Sequence, residues 1–171
     1  QTPDVRAVME SAQQQGVPTI SITNTKDAPI STISDHTILM DVDDEKSVAA
    51  SKTYTSQLTA VAMLAAYYSE DEQLITDLEL LPEYMQAALD QWSAAQAISK
   101  SFATKNHAVI VGRGFNHCTT HEIALKIKEL SYMIAQPYSA ADFRHGPIAI
   151  LEPGFPVLTI AMRGKALGDM E

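Results

Sequence analysis

The sequence predicts an α/β fold in which parallel sheets flanked by helices form two lobes. Three observations carry that reading. Short β-branched runs at 17–22, 36–40, 108–111 and 156–161 alternate with longer stretches of helical periodicity. Strands joined by helices of this length pair in parallel through right-handed crossovers. After a helical stretch the strand–turn–helix pattern restarts at Ala108. This predicts a first lobe over 1–74, a helical connector over 75–102 and a second lobe over 103–171. With 171 residues, 46% of them apolar, the chain can bury a core.

Each element has a local reason. Thr2 is a good N-cap and Pro3 suits the first helical position, with Val5, Val8, Met9 and Ala12 at helical spacing and Gly16 closing the helix. Residues 17–22 then read as a buried strand, 24–29 as a turn and 36–40 as a second strand. An acidic loop over 41–45 precedes a long helix, expected over 47–68 with Leu58, Val61, Leu64 and Ala65 facing the core. Pro82 starts a helix expected to run through Trp92 to Phe102. Strand 108–111 leads into the Gly112-Arg113-Gly114 turn and a helix over 119–132. Residues 139–150 read as a turn and a short helix, and 156–161 as a last strand.

Composition excludes several functions. The net charge is −9 and no run of Lys or Arg occurs, so no basic stripe is available to displace counterions from nucleic acid. No apolar stretch is long enough to span a bilayer. The one cysteine, Cys118, rules out an internal disulfide and fits a reducing compartment, so a cytoplasmic location is expected. His117 and His121, four apart with Cys118 between them, have a spacing that can bind zinc, but no further ligand set follows and no metal is expected. Asp41, Asp43, Asp44 and Glu45 lack the glycine of a calcium loop.

Five segments can carry chemistry. Thr2 sits at a helix start, where free N–H groups and the helix dipole favour an anion, although a plain cap reads the same way. Ser47, Val48, Ala49, Ala50, Ser51 and Lys52 offer small side chains and donors at the next helix start, again readable as an ordinary cap. Gly112, Arg113 and Gly114 form a glycine turn between strand and helix, shorter than a dinucleotide fingerprint. Glu122, Lys126 and Glu129 lie on one helix face, either a functional row or a surface of ion pairs. His145, held between Arg144 and Gly146-Pro147, is of the residue type best suited to proton transfer to a ring oxygen, although a lone histidine is more often structural.

In order, Gln1 to Asp4, EKSVAASKTYTSQ (45–57), Gly112-Arg113-Gly114, EIALKIKELSY (122–132) and SAADFRHGPIA (139–149) resemble the sugar isomerase (SIS) domain family over nearly the whole chain. The resemblance implies two flavodoxin-like lobes, truncated here at both ends. It implies a small-molecule sugar phosphate as ligand and a homodimer as the assembly. Thr2 would end a Ser-x-Ser-Gly-x-Thr phosphate loop. Ser47 to Ser51, Gly112 to Gly114 and Glu122 would line the site. Glu129 would move a proton between C1 and C2, with Lys126 beside it. His145 would open the sugar ring, reaching the site of a neighbouring subunit. Neither a metal nor a nicotinamide is required. Ala50 and the Ala141 to Arg144 variant lean the resemblance towards glucosamine-6-phosphate deaminases. The isomerase half of glutamine–fructose-6-phosphate aminotransferases is the alternative. A non-catalytic sugar-phosphate regulator is the reading of another class, disfavoured because it needs neither Glu129 nor His145.

Overall fold

The structure, a computed structural model, describes residues 3–170. The chain divides into two compact units, Gln1–Ala88 and Leu89–Glu171. Among the described residues every strand pairing is parallel. No helix there is long and apolar enough to cross a membrane.

The first unit begins with α1 (Pro3–Gln14), closed by Gly16 in the left-handed region at φ +67°. Strands β1 (Ile20–Thr23) and β2 (His36–Leu39) pair with Ile20 opposite His36. A short helix, α2 (Pro29–Ile33), fills what the sequence reads as a turn. Polar side chains clamp this small sheet at both ends. At its start, Asp35 Oδ2 accepts from the Thr19 amide and hydroxyl, both at 2.8 Å, while the Asp35 amide donates to Thr19 Oγ1 at 3.0 Å. The Thr19 hydroxyl bond, followed by the Thr19 amide bond, holds the Asp35 carboxyl below its usual range. At the far end the Asn24 amide copies a strand partner. Its Nδ2 donates to Val42 O at 2.7 Å and its Oδ1 accepts from Val42 N at 2.9 Å. Strand β1 is therefore held partly by hydroxyls, and its buried Ser21 bonds both Ser34 and Thr37.

The long helix α3 spans Lys52–Ser69, and α4 (Glu72–Glu79) packs on it. The expected start at 47 is corrected: residues 47–51 form a loop. The expected core face is corrected too. Leu58, Val61 and Leu64 are 47%, 52% and 42% exposed, whereas Ala60 and Ala66 are buried. The helix is apolar around most of its circumference, so periodicity cannot single out one face. The smallest side chains turn inward because they allow the closest approach. Helix α5 covers Leu81–Leu89, and α6 begins anew at Trp92 and ends at Phe102, so the single helix expected from Pro82 is broken at 90–91.

In the second unit β3 (His107–Gly112) is the centre of a sheet ordered β4-β3-β5, with β4 at Ile134–Ser139 and β5 at Val157–Ile160. Residues 108–112 are buried without a break, as expected of a parallel strand covered on both faces. Ile110 packs with Ala124 and Ala135, flanked by Ile123 and Ile127 of α7 (Asn116–Ser131). Val109 and Val111 pack on the other face with Ala140 and Phe143 of α8 (Ala140–Arg144). Helices α7 and α8 thus cover opposite faces of one sheet. Strand β4 was not among the expected elements, and Pro137 lies inside it. An edge position tolerates that proline.

Candidate active site

In the first unit, the loop between β2 and α3 borders a hollow of about 440 Å³ lined by Asp43, Asp44, Glu45, Lys46, Ser47 and Lys52. The loop has no regular structure, yet it is not loose. Ser51 stands at the N-cap of α3 without making a side-chain cap. Glu45 supplies it instead: its Oε2 accepts from the Ser51 amide at 2.9 Å, the Thr53 amide at 3.3 Å and the Thr53 hydroxyl at 3.2 Å. The Ser51 amide bond is the largest influence holding the Glu45 carboxyl below its usual range. A carboxylate at a helix start is also favoured by the dipole. The bonds across the loop tie its two ends together. Ala49 is buried at 3% exposure, while Val48 is 97% exposed at the loop tip. Glu45 is the residue that sequence reasoning did not single out. The signal was available only as a carboxylate six positions before a cap, a spacing that no local rule covers.

Of the predicted phosphate segments, Ser47, Val48, Ala49, Ala50 and Ser51 are therefore loop residues ahead of the helix rather than its first turn. Thr2 lies outside the described residues.

In the second unit, Gly112 ends β3 and Gly114 takes φ +60°. The turn closes on itself, with the Asn116 amide donating to Arg113 O at 3.2 Å and the His117 amide to Gly114 O at 3.0 Å. Gly112 lies so near α7 that an added Cβ would sit 2.6 Å from Asn116 O. On α7 the structure brings Glu122, Lys126 and Glu129 together. Lys126 Nζ lies 2.9 Å from Glu129 Oε2 and 3.3 Å from Glu122 Oε1, with all three side chains at most a third exposed. The hydrogen bond to Glu129, and then that to Glu122, raises the Lys126 pKa above its ordinary value against the opposing effect of burial.

Within the second unit, the other predicted residues are not gathered around this row. Asn116 at the glycine-turn end of α7 and Glu129 near its other end are about 20 Å apart along the axis. His145 is the C-cap of α8, exposed, its amide donating to Asp142 O at 3.1 Å. Ser139 caps that helix, accepting from the Asp142 amide at 3.2 Å and donating to Asp142 Oδ2 at 2.7 Å. Because α7 and α8 cover opposite faces, the sheet of one chain stands between Glu129 and His145.

Parallel strands with helices on both faces, a glycine turn into a helix and an ion-paired helix row define a parallel α/β domain. The SIS domain family matches residues 1–67 and 101–167, and the chain belongs to it. An isomerizing glutamine–fructose-6-phosphate aminotransferase of Thermococcus kodakarensis is 36% identical over 99% of this chain and 30% of its own length. The solved C-terminal domain of glucosamine-fructose-6-phosphate aminotransferase from Francisella tularensis is 26% identical, with a TM-score of 0.90 over 98% of this chain and 50% of that one. A Silicibacter pomeroyi structure assigned as a phosphosugar isomerase is 34% identical with a TM-score of 0.90, over 99% of this chain and 51% of that one. The chain thus spans about half the length of these solved relatives and under a third of the curated one.

Proposed function

We propose that the chain serves aldose–ketose isomerisation of an amino-sugar phosphate, as the isomerase part of a glutamine–fructose-6-phosphate aminotransferase. The observation that carries this reading is the Lys126 row. An ammonium bridging two carboxylates on one helix face holds Glu129 in a fixed orientation, as a group must be that lifts a proton next to a carbonyl. Glu129 then moves the proton between C1 and C2, with Lys126 and Glu122 lining the same site. In the first unit, Lys46 and Lys52 beside the loop over 47–51 are the cations that would answer a phosphate. His145 protonates or deprotonates the ring oxygen. Its place across the sheet from Glu129 favours action in the site of a neighbouring subunit, hence a homodimer.

The aminotransferase name borne by the Thermococcus kodakarensis relative supports this reading better than the deaminase reading that the sequence placed first. In the full-length enzyme, Glu129→Gln is expected to abolish exchange of the substrate C2 hydrogen with solvent while leaving phosphate-dependent binding nearly intact. Exchange at the wild-type rate would remove Glu129 from the chemistry. Action of His145 between subunits has its own test. Mixed dimers of Glu129→Gln and His145→Ala chains should regain about a quarter of wild-type activity, because only heterodimers hold one site with both groups. No recovery would confine His145 to its own chain.

A further inference from the structure

We propose that His117 and His121 form a chelating site for one borderline divalent transition-metal ion at the start of α7. The two residues stand four apart in that helix, and their Nε2 atoms face each other at 3.2 Å. The rings are tilted by 60° with centroids 4.9 Å apart, so both nitrogens converge without the rings stacking. An imidazole nitrogen binds such an ion at about 2.0–2.1 Å, and a 3.2 Å bite then subtends about 100° at the metal. That angle lies between those of neighbouring ligands in octahedral and tetrahedral shells. Without an ion the same two nitrogens already face each other at hydrogen-bond distance. A metal therefore enters between two rings already in place, with little side-chain ordering required.

The donor set selects the ion. Two neutral imidazoles suit zinc, nickel and copper, and a hard oxygen-seeking cation gains little from them. Cys118 lies between the histidines in sequence but not in the clamp, since its Sγ donates to Phe115 O at 2.7 Å. Water completes the shell, because the described residues hold no cluster of three or more His, Cys, Asp or Glu suited to a metal. With two protein ligands at the positive end of a helix, affinity is expected in the micromolar range, far from that of a closed four-ligand site. The site is separate from the Lys126 row, and its test does not depend on the activity proposed above.

The experiment is calorimetric titration of Ni²⁺ into the whole chain at neutral pH, with ring-proton NMR. One ion per chain should bind, broadening the His117 and His121 ring signals before those of His36, His107 and His145. His117→Gln and His121→Gln should each weaken binding about tenfold or more, and Cys118→Ser should leave it unchanged. The His117 carbonyl, not its ring, receives the Thr120 hydroxyl, so the ring can be replaced without breaking that bond. Broadening centred on another histidine would overturn the assignment, as would no binding below about 1 mM. Loss in Cys118→Ser would overturn it too, by making the thiol the ligand.

Discussion

Gly112→Ala tests the closest approach in the second unit. The added methyl would stand 2.6 Å from Asn116 O, 2.7 Å from Thr120 Cγ2 and 3.0 Å from Asn116 C. Two of these atoms belong to the backbone of the first turn of α7, so a rotamer change cannot relieve them. Strand β3 and α7 must part by about half an ångström, in a region where Ile110, Ala124 and Thr120 are fully buried. Overpacking of this kind costs about 1–3 kcal/mol, and the smaller entropy of alanine in the unfolded chain returns about 0.4–1 kcal/mol. A net loss of about 1–2 kcal/mol is expected. Native-state hydrogen exchange reads it locally: amides of Val109 to Val111 should exchange about tenfold faster. Thr120→Ala in the same background should restore only part of the loss, since Asn116 O remains in place. A variant within about 0.3 kcal/mol of wild type would refute the argument, and so would complete rescue by Thr120→Ala.

Glu45 has a depressed folded pKa, so its cap is fully present above the unfolded value, about 4.5, and is lost as pH falls through the lower folded value. The Ser51 and Thr53 amide shifts should titrate with a midpoint below 4.5, and Glu45→Ala should fray the first turn of α3 at neutral pH. Lys126 behaves in the opposite sense. Its raised pKa makes the ion-paired row complete below about 10.5 and lost only as pH rises through the higher folded value, so its ammonium should deprotonate with a midpoint above 10.5 in an NMR titration. Ser139→Ala removes the cap of α8 at a cost of about 1 kcal/mol and should lower kcat more than it raises KM, by loosening His145. An unchanged kcat would show that His145 needs no such support.

Residue pattern alone reached the elements whose cause is local. Pro3 and Gly16 bracket α1, a continuous apolar run makes β3, and spacing of three and four aligns Glu122, Lys126 and Glu129 on one face. Each needs only the chain's own periodicity or a residue's dihedral freedom. Partners distant in sequence decided the rest. Strand β4 exists despite Pro137 because β3 supplies its neighbour on one side. Helix α3 begins at Lys52 rather than Ser47 because the Glu45 carboxylate, brought round by the loop, caps it. Its inward face is set by which small residues fit against the sheet and α4, a choice that an all-round apolar helix leaves open. The separation of Glu129 from His145 is also invisible in their sixteen-residue spacing. It arises because consecutive helices of a parallel sheet can cross on opposite faces, and only the packing of Ile110 against α7 and of Val109 and Val111 against α8 settles which face each one takes.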